Sequence, residues 1–266
     1  MRARRDFVEH EMVGRRFVGD GPTMVWIHGL GESGACFEGI VATAPLADRP
    51  VVVPDLPGYG RSPWPVRAEG LVDTAEHLAG WMRRRVPVPA VVVGHSMGGV
   101  LGVLLAERYP DLVSGLVNID GNASTGDCVY SSRAADEDVE RFVNGGFDRL
   151  REMVFRAGRD DPAQAGYWAS LRLADPRTFH RHAGHLVEMS HTEDLAGRLA
   201  ALSCPNLYIA GSPGGACARS LELLRTAGAD LAVIEPAGHW PFIDRPTEVA
   251  ALIGDFADRC AGDRGD

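Results

Sequence analysis

Six short stretches of this chain carry consecutive apolar residues and close in Gly, Pro or His turns: residues 23–29, 50–60, 89–99, 114–121, 205–212 and 229–239. A strand with one face in water alternates apolar and polar side chains, whereas a strand covered on both faces reads as a continuous apolar run. Between these runs lie stretches with helical spacing, such as "VLGVLLAERYP" directly after "PAVVVGHSMGG". Alternating runs of this kind predict an α/β fold: a mostly parallel central sheet with helices on both faces.

Residues 123–200 break the pattern. Strand-like runs stop, and helical patterns such as "DEDVERFVNGGFDRLREMVFRAG", "DPAQAGYWASLRLA" and "DPRTFHRHAGHLVEMS" take over. The last opens with Asp175 as N-cap and Pro176 at the first helical position. The expected organisation is a sheet-bearing core from residues 1–122 and 201–266, with residues 123–200 as a helical insertion. Tyr130, Phe142, Phe147, Phe155, Tyr167, Trp168 and Phe179 lie in that insertion, mostly as its own core.

The formal net charge of −9 disfavours nucleic acid, whose phosphates attract basic surfaces. No apolar run reaches membrane-spanning length, and the basic start "MRARRDFVEH" leads into no apolar region of a signal peptide. Five cysteines at scattered positions suit reduced thiols in a cytoplasmic protein and fit neither a disulfide framework nor a zinc site. The sequence admits a homodimer.

"GHSMGG", residues 94–99, sits between an expected strand and an expected helix, the context in which G-x-S-x-G carries meaning. Gly94 and Gly98 clear space in a tight turn, so that Ser96 can point its hydroxyl out above the sheet. The helix from Met97 aims backbone N–H groups at the same place, where they favour developing negative charge.

With "HGLGES", "DLPGYGRS", "GHSMGG" and "AGHWPFIDRP" in this order, the chain resembles the α/β-hydrolase fold family from about residue 20 to 258. Ser96 needs a base to become a nucleophile. Among nine histidines, His239 follows the last apolar run, at the matching place of the family's catalytic His. The other histidines read as helix-face or turn residues; His28 shapes the oxyanion turn in the family, and His95 points off the elbow. The resemblance implies an oxyanion hole built from the backbone N–H groups of Leu30 and Met97.

The base needs a carboxylate to fix its tautomer. Many members keep it in the loop after the penultimate strand, but "SPGGACARS" holds no acid. Some members, haloalkane dehalogenases among them, carry it at the end of the strand after the nucleophile helix, where Asp120 stands in "VNIDGN". The competing reading makes Asp120 a turn residue with Gly121 and Asn122.

The expected activity is serine hydrolysis of a small hydrophobic ester, lactone or thioester through an acyl-enzyme, with no cofactor and no metal. The helical insertion forms a cap, and Trp240, Tyr130 and Trp168 are candidate substrate contacts. Two alternatives stay open: a lyase, cyclase or cofactor-free dioxygenase on the same scaffold, or a ligand-binding module with a retained triad.

Overall fold

The computed structural model describes residues 4–9 and 12–262. Eight strands form one sheet in the spatial order β1-β2-β4-β3-β5-β6-β7-β8. They are β1 (Arg4–Glu9), β2 (Met12–Phe17), β3 (Met24–Ile27), β4 (Val51–Asp55), β5 (Ala90–His95), β6 (Val113–Ile119), β7 (Asn206–Gly214) and β8 (Leu231–Gly238). From β4 to β8 all pairings are parallel, while β1 and β2 form an antiparallel hairpin on the β4 edge.

The six apolar runs become the six parallel strands. Every residue of β3, β4 and β5 is buried, as continuous covering on both faces requires. The β1–β2 hairpin was not among the expected strands. Its sequences "RRDFVE" and "MVGRRF" are rich in Arg and lack the continuous apolar signal, which suits an edge that meets solvent.

Between β6 and β7, from residue 125 to 200, the regular elements are all helical. The long pattern over residues 136–158 is interrupted: Asn144 and Gly145 leave helical geometry, and a regular helix resumes at Phe147–Ala157. Asp175 caps the helix Pro176–His191 by accepting from the Arg177 and Thr178 amides. Phe142, Phe147 and Phe179 pack ring on ring inside this segment.

His182, from the helix Pro176–His191, ties this segment to the sheet unit. Its Nδ1 meets the Tyr59 hydroxyl at 2.8 Å and its Nε2 meets Thr74 Oγ1 at 3.1 Å. Thr74 donates its own proton to the Gly70 carbonyl, so the ring donates to Thr74 and accepts from Tyr59, which is the neutral form. Burial lowers the His182 pKa to about 3. A depressed histidine contributes its stability above the unfolded pKa of about 6.5, and the contribution is lost as pH falls toward the folded value. Between pH 7 and about pH 5 the wild type should therefore lose about 2 kcal/mol more stability than His182→Gln, measured by urea unfolding at each pH.

Candidate active site

The carboxyl ends of β3, β5, β6 and β8 deliver one group each to a single edge of the sheet, where parallel sheets gather their sites. At the end of β5, Ser96 adopts φ 51° and ψ −118°. This positive φ costs a non-glycine residue about 1–3 kcal/mol and persists only where the surroundings enforce it. Enforcement is visible. The Ser96 amide donates to the Ile119 carbonyl at 2.9 Å, and the Ser96 carbonyl accepts from Gly99 at 2.9 Å. The helix Met97–Arg108 begins at the next residue, its first turn facing the same space.

The sharpness of this elbow depends on absent side chains. A Cβ on Gly98 would stand 2.0 Å from the Ile27 carbonyl oxygen, and one on Gly94 would stand 2.1 Å from the Gly98 oxygen. Both obstacles are backbone and cannot swing away. Gly98→Ala should lower the melting temperature by about 10 °C, corresponding to about 3 kcal/mol in a domain of this size. Differential scanning calorimetry of the variant checks it.

His239 follows β8 directly, and its ring is 27% exposed. Its Nδ1 lies 3.8 Å from Asp120 Oδ2, within ion-pair range and longer than a hydrogen bond. Catalytic contacts of this type often tighten only when substrate is bound. Asp120 ends β6 in the left-handed region at φ 46°, with its carboxylate fully buried. Oδ1 accepts from the Ala216 amide at 2.9 Å and from the Gly211 amide at 3.2 Å. Gly211 within β7 and Ala216 in the loop after it, a loop that lacks an acid of its own, thus supply amides to the acid that follows β6. Burial pushes the Asp120 carboxyl above the usual carboxylate range, against the pull of His95 and these amides. Burial, and then the charge on His95, pushes the His239 imidazole down, which keeps it in the neutral form a base needs.

Ser96 and His239 line one cavity of about 30 Å³, with Leu30, Tyr130, Tyr167, Leu186 and Trp240 among the other walls. Tyr130, His239 and Trp240 also line a neighbouring space of about 150 Å³ next to Asp120. Glu32, Tyr167 and Trp240 border a third, mostly apolar recess of about 330 Å³. Among the expected contacts, Trp240 and Tyr130 therefore face the site. Trp168 does not: its ring packs at a tilt against Phe155 and lies under the Arg172 guanidinium, away from the walls of the Ser96 cavity. Successive helix positions point about 100° apart, so only one of the pair Tyr167 and Trp168 can look inward, and it is Tyr167.

His28 opens the turn after β3, as expected of a shaping residue. Its Nε2 accepts from the Leu56 amide at 3.0 Å and its Nδ1 donates to the Gly29 carbonyl at 2.9 Å. Asp244 accepts from the Gly238 amide at 2.7 Å, bracing the turn that carries His239. Two residues matter here that the sequence does not single out: Glu32 has no reading there, and His95, expected to point off the elbow, bonds Glu32 and the His239 backbone. Glu32 and His95 are both buried beside the site and bonded to each other at 2.9 Å. A Glu within "HGLGES" has no helix or strand period to mark it, and no spacing in the chain pairs it with residue 95. Among the described residues, no cluster of three or more His, Cys, Asp or Glu side chains is arranged to hold a metal ion.

Residues 22–159 match the family model described as alpha/beta hydrolase fold. The chain belongs to the α/β-hydrolase fold family. A pimeloyl-[acyl-carrier protein] methyl ester esterase of Aeromonas hydrophila is 29% identical over 261 residues, spanning 90% of this chain and 96% of the relative. A 2-(acetamidomethylene)succinate hydrolase of Mesorhizobium japonicum is 37% identical over 146 residues, spanning 53% of this chain and 50% of that one. Among solved structures, a thermophilic esterase from Thermogutta terrifontis superposes with a TM-score of 0.75 at 23% identity, covering 98% of this chain and 99% of the other. At that identity the likeness speaks for the α/β-hydrolase fold alone. The eight-stranded, mostly parallel sheet is the architecture of this family.

Proposed function

We propose that the protein is a serine hydrolase that cleaves a small, uncharged, hydrophobic ester, lactone or thioester through an acyl-enzyme on Ser96. The observation that carries this reading is the strained, enforced conformation of Ser96 in the same cavity as His239, whose Nδ1 side faces buried Asp120. His239 takes the Ser96 proton as the hydroxyl attacks the carbonyl carbon. The amides of Leu30 and Met97 receive the oxyanion. His239 then returns the proton to the leaving group, and water repeats the sequence to free the acid. Asp120 holds the Nδ1–H tautomer and stabilises the imidazolium as it forms.

The walls bear on the substrate. Leu30, Leu186, Tyr167 and Trp240 supply apolar surface, and no Lys or Arg stands among the residues lining the cavity. A pocket of this kind suits a neutral ester better than a dicarboxylate such as the one in the Mesorhizobium relative's name. The esterase relative from Aeromonas, matched along nearly its whole length, supports the same choice. The helices of residues 123–200 act as a cap, since Tyr130, Tyr167 and Leu186 reach the cavity from them. No helix among the described residues is long and apolar enough to cross a membrane. The five cysteines are free thiols, which fits work in the reducing cytoplasm.

The test is a series of p-nitrophenyl esters of increasing chain length, read under pre-steady-state conditions. A burst of p-nitrophenol equal to the enzyme concentration, absent in Ser96→Ala, is the expected result. Turnover without a Ser96-dependent burst would overturn the acyl-enzyme.

A further inference from the structure

Glu32 sits 2% exposed, with donors on both of its carboxylate oxygens. Oε2 accepts from the Gly29 amide at 2.6 Å and from His95 Nδ1 at 2.9 Å. Oε1 accepts from the Trp240 indole N–H. His95, 1% exposed, has a second partner: its Nε2 lies 2.8 Å from the His239 carbonyl oxygen. Both partners of the His95 ring are acceptors. A neutral imidazole can donate only once, so the two contacts together require the imidazolium.

We propose that Glu32 and His95 are positioning residues: a buried anion and cation that hold the oxyanion turn, the nucleophile elbow and the loop of the base in one fixed register. This rests on the roles given above to Ser96, His239 and Leu30. Glu32 closes the turn at Gly29, one residue before Leu30. His95 immediately precedes Ser96 and bonds the backbone of His239. Trp240, tied to the same carboxylate, is the residue after His239 and a wall of the cavity. Three chain segments far apart in sequence therefore meet on one carboxylate and one ring. Removing one partner of a buried pair leaves the other uncompensated.

The arrangement also has an electrostatic consequence. The His95 and His239 rings are 4.8 Å apart between centroids. A fixed positive charge there opposes protonation of His239 and keeps the base free at lower pH. The groups facing His95 are Glu32, His239 and Asp120, with the Trp240 and Phe242 rings completing its surroundings. Burial alone would raise Glu32 and lower His95; their attraction reverses both, holding Glu32 below the carboxylate range and His95 above its ordinary value.

Nitrogen NMR of the folded wild type decides the charge state without relying on turnover. The expected result is a His95 ring with both nitrogens protonated at neutral pH and above, and a neutral ring in Glu32→Gln. Kinetics then decide the role. His95→Asn and Glu32→Gln should each lower kcat by about 10²-fold with KM little changed, the scale of a slightly misplaced catalytic group. In His95→Asn the acid limb of kcat/KM should also move to higher pH, because the charge that opposed His239 protonation is gone. A purely structural residue would slow the enzyme without moving that limb. Should these variants fail to fold, Trp240→Phe keeps an aromatic ring at this wall while removing the indole N–H, and a loss of about tenfold in kcat is expected from one charge-assisted hydrogen bond. A neutral His95 in wild type, or folded variants with unchanged kcat and an unmoved limb, would overturn the proposal. Absence of any ester turnover by wild type would instead count against the hydrolase reading, and the NMR result would still stand by itself.

Discussion

Ser96→Ala should lower kcat/KM for any ester the wild type hydrolyses by about 10⁵–10⁶-fold, the loss seen when a serine nucleophile is removed from a triad. The magnitude follows from what the hydroxyl does here. It lines the same cavity as His239, on a backbone held at φ 51° by the bond Ser96 donates to Ile119 and the bond it accepts from Gly99. Alanine keeps those backbone bonds, so the melting temperature should stay within a few degrees of wild type. A thermal scan alongside the kinetics separates loss of chemistry from loss of fold. What activity remains would come from the oxyanion amides and from binding alone.

The second large effect concerns Asp120. Asp120→Asn should lower kcat by about 10⁴-fold while KM changes little. Asparagine tolerates the left-handed backbone at φ 46°, and its carbonyl oxygen can still accept from the Ala216 and Gly211 amides. The fold is therefore preserved. Its amide nitrogen, however, would face His239 Nδ1 as a donor and drive the ring into the tautomer that cannot accept the Ser96 proton. The substitution also separates the two readings of "VNIDGN". A residue that only shapes the turn with Gly121 would be replaced by Asn at no cost in rate. Steady-state kinetics on a p-nitrophenyl ester give the answer directly.

Much of this arrangement is legible in the chain. The strands that lie between covering helices announce themselves as unbroken apolar runs, because no residue on them can afford to face water. "GHSMGG" is legible because the elbow's geometry forbids side chains at Gly94 and Gly98. The β1–β2 hairpin is less visible, since an edge strand can carry Arg on its exposed face. Trp168 illustrates another boundary: adjacent aromatics on one helix look alike in sequence, and only packing determines that Tyr167 turns inward. Glu32 and His95 are the hardest to read. Their meaning lies in a contact across 63 residues, formed because β3 and β5 are neighbours in the sheet. No local pattern records that adjacency.

The central claim is that Ser96 is a hydroxyl activated by His239 for attack on an acyl or phosphoryl centre. The most direct measurement is to treat the intact protein with a fluorophosphonate, digest it, and locate the adduct by mass spectrometry. The account predicts stoichiometric phosphonylation on the peptide containing Ser96, slowed strongly in Asp120→Asn and absent in Ser96→Ala. A folded protein that stays unmodified, or an adduct on any other side chain, would contradict it.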